Sequence, residues 1–65
     1  MEIQLNGEAY ELPAGTTLAT LIETLGIEGR LAVEVNEQIV PRGRFTEYEL
    51  QPRDRVEIVH AIGGG

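Results

Sequence analysis

Only one segment of this chain has the residue spacing of a helix, and that limits the folds open to it. Four aliphatic side chains at positions i, i+3, i+4 and i+7 share one helical face: Leu18, Leu21, Ile22 and Leu25. A threonine at 16 or 17 can cap the start of this helix with its hydroxyl oxygen, and Gly26 fits the left-handed position that ends it. A single helix is therefore available to cover whatever the rest of the chain builds.

Most of the remaining chain alternates between apolar and polar residues, which is typical of β-strands. Asn6-Gly7 joins the first two predicted strands, and this dipeptide is the strongest short signal for a hairpin. A second pair of strands is expected around Asn36-Glu37, and Pro41 ends its second member. The predicted strands cover residues 2–5, 10–12, 32–36, 38–40 and 55–62.

Two segments before the last strand lack a regular period. Residues 42–50 predict a loop or a short helical turn that places one or two of its larger side chains in the core, and Pro52-Arg53-Asp54 predicts a turn. The order strand, strand, helix, strand, strand, strand then predicts an α+β fold. We expect a mixed sheet of about four to five strands with one main helix across one face.

A chain of 65 residues has room for one small core. The apolar positions of the helix and strands predict its members: Ile3, Leu5, Leu12, Leu18, Leu21, Ile22, Leu25, Val33, Val35, Ile39, Val56 and Ile58. No low-complexity segment or internal repeat interrupts this pattern, so residues 1–62 are expected to form a single domain.

The composition excludes several classes of function. The chain has no cysteine, serine or lysine and a single histidine, so a nucleophilic catalytic site is hard to build, and no catalytic residue is predicted. Its carboxylates are scattered over the polar faces and predict a solvated surface. A net charge of -6 opposes binding to nucleic acid and to anionic membranes and favours protein partners with basic patches.

Without a signal or membrane segment at its start, the chain is expected to be cytoplasmic.

The glycines at residues 63–65 are the most unusual feature of the sequence. They lack the spacing, the lysine and the following helix of a phosphate loop. A run of glycines at a terminus can be a frayed end, but here it directly follows an apolar strand. Glycines can thread a narrow channel and leave the terminal carbonyl carbon of Gly65 unshielded. We therefore expect a flexible tail over 63–65 whose working group is the Gly65 carboxylate.

His60 lies three residues before this tail. It can contact a partner, or it can be an ordinary polar residue at the end of the strand. It is not predicted to bind a metal, because one histidine without cysteines or clustered carboxylates supplies too few ligands.

The chain resembles, over essentially its whole length, the sulfur carrier family of thiamine biosynthesis (ThiS), whose members have the ubiquitin-like β-grasp fold. The most specific parts of the resemblance are Val40-Pro41-Arg42 and the glycine tail. The other matching segments are Asn6-Gly7, Gly15-Thr16-Thr17-Leu18, Val35-Asn36 and Asp54-Arg55-Val56-Glu57-Ile58. The sequence departs from the family pattern by an extra glycine at 63 and by Arg53, where a glycine often precedes the aspartate.

The resemblance implies that partner enzymes carry out chemistry on Gly65. A ubiquitin-activating-like adenylating enzyme (ThiF-like) would use ATP and magnesium to convert the carboxylate to an acyl-adenylate, and a persulfide sulfur donor would then displace AMP. The resulting thiocarboxylate would supply sulfur to thiazole synthase (ThiG-like). The chain itself would bind no cofactor. Residues implied to contact partners are Val59, His60, Ala61, Ile62, Gly63 and Gly64.

Three alternatives remain open from the sequence. The small subunit of molybdopterin synthase has a similar fold and tail, although it is typically longer and has prolines where this chain has His60-Ala61-Ile62. A ubiquitin-like protein modifier would become attached to lysines of its targets. An interaction module of the same fold would not need the tail at all.

Overall fold

A computed structural model describes residues 1–60 of the chain. Its strands are β1 (Glu2–Leu5), β2 (Glu8–Glu11), β3 (Leu31–Val35), β4 (Gln38–Val40) and β5 (Arg55–His60). The α-helix α1 (Leu18–Leu25) lies between β2 and β3, and a 3₁₀ turn (Arg42–Arg44) follows β4. Residues 61–62, which we predict to continue β5, and the expected boundary between domain and tail lie outside the described residues.

The strands form one mixed sheet in the order β2-β1-β5-β3-β4. The neighbours β1 and β5 run parallel, and every other neighbouring pair is antiparallel. Because β5 is the central strand, the last strand of the described chain is inserted between two segments that precede it. The predicted α+β fold, a mixed sheet with one helix across one face, is confirmed.

Both predicted two-residue hairpin turns are present. Asn6 and Gly7 have φ angles of 50° and 85°, and Asn36 and Glu37 have φ angles of 53° and 71°. Positive φ at both central residues is the geometry that matches the twist of a two-stranded antiparallel ribbon. The second turn adopts it without a glycine. Asn36 tolerates the left-handed region better than most residues, whereas Glu37 adopts it against the preference of a residue with a Cβ atom.

The helix begins and ends where its sequence signals predict. Thr17 is the N-cap, and its hydroxyl oxygen accepts a hydrogen bond from the Thr20 amide at 3.2 Å. Gly26 ends the helix in the left-handed conformation, with φ of 70°, and its amide donates to the Glu23 carbonyl. The helix then lays Leu18 and Leu21, both fully buried, against the sheet.

The core differs from the predicted set in a few positions. Ile39 is 76% exposed, so its assignment to the core is wrong. Leu5, Ile22 and Leu25 are only partly buried and pack against the core from its edge. The irregular segment supplies Phe45 and Leu50, which fits the expectation that 42–50 places one or two side chains inside. The buried apolar residues are Ile3, Leu12, Leu18, Leu21, Val33, Val35, Val40, Phe45, Leu50, Val56 and Ile58.

Ile39 points outward because of the turn that precedes it. A two-residue turn pairs Val35 with Gln38 and Val33 with Val40. Residues paired across antiparallel strands share a face, so the buried Val33 brings Val40 inward and leaves Ile39 on the opposite face.

The helix, at eight residues, is far shorter than a membrane span, and no other helix in residues 1–60 is long and apolar enough to cross a bilayer.

Candidate functional site

The candidate site is the end of β5, from which the chain continues toward the glycines. Of the residues predicted to act there, the structure describes Val59 and His60. The others, which are Ala61, Ile62, Gly63, Gly64 and Gly65, lie outside the described residues, and their roles stay predictions. What the structure establishes is how the strand that leads to them is held.

Strand β5 is paired unequally along its length. Its pairing with β3 runs from Val35 opposite Val56 to Leu31 opposite His60. Its parallel pairing with β1 covers only the start, where Gln4 lies opposite Arg55. Within the part of the chain that the structure describes, the end of β5 nearest the tail therefore has a strand neighbour on one side only.

The Asn6 side chain takes over where β1 ends. Its Oδ1 accepts a hydrogen bond from the Ile58 amide at 2.8 Å, and its Nδ2 faces the Ile58 carbonyl at 3.4 Å. A side-chain amide presents the same donor and acceptor pair as a peptide group. Asn6 thus extends the edge of β1 by one further residue along β5.

Asn36 holds the start of β5 in a similar way from the other hairpin. Its backbone amide donates to the Arg55 carbonyl at 2.8 Å, and its Oδ1 accepts from the Arg55 amide at 2.9 Å. Its Nδ2 donates to Asp54 Oδ1 at 3.0 Å, while Asp54 Oδ2 accepts from the Gln51 amide at 2.8 Å. The buried Asp54 carboxylate therefore has partners at both oxygens, as a buried charge requires.

His60, the last described residue of β5, contacts the connection between α1 and β3. Its Nε2 donates to the Glu28 carbonyl at 2.6 Å. The guanidinium of Arg42 donates to the next carbonyl, that of Gly29. Two successive carbonyls are thus held by side chains from β5 and from the 3₁₀ turn.

The face of the sheet turned away from the helix carries an apolar patch beside the end of β5. Val59 is 65% exposed, in agreement with its expected surface position, and it lies opposite Ala32, which is also exposed. Ile39 lies on the same face, opposite Glu34. We call these three apolar residues, together with Glu34 and Glu57, the outer-face patch.

Two carboxylates of the outer-face patch are directly opposite each other. Glu34 pairs with Glu57 across β3 and β5, and both side chains are exposed. Like charges in this arrangement destabilise a sheet slightly. A positively charged partner surface would relieve that repulsion.

Sequence reasoning found the outward position of Val59 but missed most of the site. Ile39 and Ala32 join Val59 only through strand pairing, and the two-residue turn at Asn36-Glu37 was the signal that could have placed Ile39 outside. The hydrogen bonds of Asn6, Asn36 and Arg42 join residues far apart in sequence, and no local pattern encodes them.

Comparison with known proteins agrees with this architecture. The chain matches the profile of the ThiS family over residues 3–65. It is 38% identical to the sulfur carrier protein ThiS of Bacillus subtilis, an alignment that covers 97% of this chain and 98% of the relative. The crystal structure of the thiamine biosynthesis protein ThiS from Geobacter metallireducens superimposes with a TM-score of 0.84 over the full length of both chains, at 23% identity.

A further relative is a much longer protein. The chain is 47% identical to the thiazole synthase of Magnetococcus marinus over an alignment of 66 residues, which covers all of this chain. It spans only 20% of that protein's length. The family profile includes the glycines at 63–65 as well as the described domain, and the superposition confirms the β-grasp fold. The chain therefore belongs to the ThiS family.

Proposed function

We propose that this chain is a sulfur carrier of thiamine biosynthesis and that the Gly65 carboxylate carries the sulfur as a thiocarboxylate. The match to the ThiS family over residues 3–65 is the main support, because it includes the glycine tail together with the domain. The chain is then a co-substrate that other enzymes modify, and not itself a catalyst. The family match favours thiamine biosynthesis over the molybdopterin branch and over a protein modifier.

The chemistry begins with activation, since a carboxylate is a poor electrophile. A carboxylate oxygen of Gly65 attacks the α-phosphorus of ATP and releases pyrophosphate, so AMP becomes the leaving group. The terminal sulfur of a persulfide attacks the carbonyl carbon, and the bond to AMP breaks. A thiol then cleaves the sulfur–sulfur bond of the acyl disulfide and is itself oxidised to a disulfide, which leaves the thiocarboxylate on Gly65.

Each step assigns a partner of defined chemistry. An adenylating enzyme (ThiF-like) would use ATP and magnesium, a persulfide donor would supply the sulfur, and thiazole synthase (ThiG-like) would accept it. The chain would bind no cofactor of its own. These reactions would place the carrier in the cytoplasm.

The outer-face patch is the proposed docking surface for the adenylating enzyme. Val59, Ala32 and Ile39 offer apolar contact next to the strand that leads to the tail, and Glu34 and Glu57 offer negative charge. A partner with a basic rim around an apolar centre would complement both. Ala61, Ile62, Gly63 and Gly64 would then contact the channel of the enzyme.

Intact-mass spectrometry tests the proposed function directly. The chain isolated from its native source, incubated with the adenylating enzyme, ATP, magnesium and a persulfide donor, should exchange one oxygen for sulfur. Fragmentation should locate the change at Gly65. A variant without Gly64 and Gly65 should keep its melting temperature and remain unmodified.

Two results would contradict this function. One is an unchanged mass under conditions that modify the Bacillus subtilis carrier. The other is a native chain that continues past Gly65, because a residue inside a longer chain has no free carboxylate to activate. Growth of a deletion strain completes the test, since supplied thiazole should restore it and molybdenum cofactor should not.

A further inference from the structure

The connection between α1 and β3 is held by two side chains that the proposed chemistry does not use. His60 Nε2 lies 2.6 Å from the Glu28 carbonyl oxygen, and the Arg42 guanidinium donates to the carbonyl of Gly29. Both carbonyls can only accept hydrogen bonds, so the imidazole and the guanidinium are the donors. We refer to these two contacts as the clamp.

The clamp acts on the least supported part of β5. Beyond Ile58, where the Asn6 amide ends the support from β1, β3 is the only strand of residues 1–60 that lies beside β5. There Leu31 lies opposite His60, and Leu31 is the first residue of β3 after the clamped connection. Movement of the connection would therefore move the last strand pair before the tail.

The backbone of the connection passes close to this contact. Gly29 has a φ of 91°, and a Cβ atom on it would lie 3.8 Å from His60 Nε2, an ordinary van der Waals distance. The imidazole therefore lies beside Gly29 while it bonds to the preceding carbonyl. Arg42 reaches the same connection from the 3₁₀ turn that follows β4, so three separate parts of the chain meet at one point.

We propose that His60 and Arg42 are positioning residues for the modification of Gly65, a role that rests on the proposed carrier function. The clamp holds His60, the last described residue of β5, from which the chain continues toward Gly65. The reacting carboxylate belongs to a residue only a few positions further, so displacement of His60 would shift the point from which the tail reaches a partner's active site. Neither side chain needs to touch the reacting atoms for this role.

This role predicts a specific kinetic signature. Loss of the clamp leaves the outer-face patch unchanged, so the KM of the adenylating enzyme for the carrier should stay the same. Misplacement of the carboxylate should lower kcat instead, by about tenfold or more, because small errors in the position of reacting groups slow a reaction strongly. A residue that only contacts the partner would raise KM, and one that only stabilises the fold would lower the melting temperature.

The test compares His60→Ala and Arg42→Ala with conservative replacements in the full-length carrier. Glutamine carries an amide nitrogen at the distance of the imidazole Nε2, so His60→Gln should recover most of the lost kcat. Arg42→Lys keeps one donor and should recover part of it. Arg44→Ala is the matched control, since Arg44 lies two residues away, is similarly exposed and pairs with Glu47 instead.

The readouts are kcat and KM for adenylation, formation of the thiocarboxylate by intact mass, and the melting temperature of each variant. The proposal is overturned if His60→Ala and Arg42→Ala match Arg44→Ala in kcat, or if their effect appears in KM or follows the loss of stability. Failure of His60→Gln to exceed His60→Ala would also overturn it. A wild-type carrier that gains no sulfur would instead overturn the proposed function, so the two failures are distinguishable.

Discussion

Arg53 adopts a backbone conformation that its side chain disfavours. Its φ is 69°, in the turn before β5, and its amide donates to the Glu2 carbonyl at 2.7 Å. A residue with a Cβ atom is strained in the left-handed region. This geometry gives a physical reason for the glycine that the family often has before the aspartate.

Replacing Arg53 with glycine should therefore stabilise the protein. Relief of the left-handed strain, roughly 1–2 kcal/mol, is partly offset by the greater freedom of glycine in the unfolded chain, so we expect a net gain of about 0.5–1 kcal/mol. The urea midpoint should rise. Arg55→Gly, in the extended backbone of β5, serves as the control and should lower it, and a lower midpoint for Arg53→Gly would contradict the prediction.

The Asn6 side chain should contribute to stability through its bonds to Ile58. Asn6→Gly keeps a residue suited to the φ of 50° but removes the amide, so two backbone groups of Ile58 lose their partner. We expect a loss of about 1–3 kcal/mol. Chemical denaturation measures it, with Glu37→Gly as the control at a left-handed position of the other hairpin. Equal effects of the two variants would show that the amide contributes nothing.

At the scale of elements, the irregular segment after β4 completes the start of the helix. The amides of Leu18 and Ala19 donate to the carbonyls of Tyr48 and Phe45, each at 3.0 Å. The first amides of a helix have no partner within it, so these carbonyls satisfy groups that would otherwise be unpaired. The segment has no regular period because the positions of its carbonyls are set by the amides at the helix start.

The register of the second hairpin can be tested by the same substitution at two isoleucines. Ile39→Ala should change the free energy of unfolding by less than about 0.5 kcal/mol, since the side chain already lies in water. Ile3→Ala removes a fully buried side chain and should cost about 2–5 kcal/mol. Thermal or urea denaturation of both variants checks this pair. Comparable losses would mean that Ile39 is buried and that the strand register is different.

The elements that the sequence predicts well are those whose signals are local. The cap at Thr17, the glycine at 26 and the Asn6-Gly7 turn each act within a few residues, and all three are confirmed. The prediction that Ile39 is buried was wrong because hydrophobicity alone does not indicate which face of a sheet a residue occupies. In β4 that face depends on the pairing with β3. The backbone of residues 42–50 was not predictable in detail, since its partners belong to the helix.

For the whole molecule, the net charge of -6 should guide encounter with a basic partner. Raising the ionic strength from about 0.1 M to about 1 M shortens the Debye length from about 10 Å to about 3 Å. We therefore expect the KM of the adenylating enzyme for the carrier to rise several-fold while kcat stays constant.

The charge of the outer-face patch should account for most of this dependence. A double variant, Glu34→Gln with Glu57→Gln, should flatten the salt response. Glu8→Gln with Glu23→Gln removes the same charge away from the patch and should leave most of the response intact. A salt response that depends only on total charge would argue against docking through this face.

The candidate site was predictable only where the sequence itself carries the chemistry. The glycines at 63–65 and the exposed Val59 are visible in the printed residues. The supports of β5 are not, because Asn6 and Ile58 come together only after the sheet has formed, and the same holds for Arg42 and Gly29. Topology, and not local pattern, decides how β5 is held up to His60.

The parallel pairing of β1 and β5 links folding to the presence of the tail-bearing strand. Strand β1 finds its central neighbour only after nearly all of the described chain has been synthesised, so closing this long loop must precede the stable state. A chain cut before β5 would lack its central strand and could not fold. Proteolysis there would thus yield degradable fragments and not folded decoys that occupy partner enzymes without a group to activate.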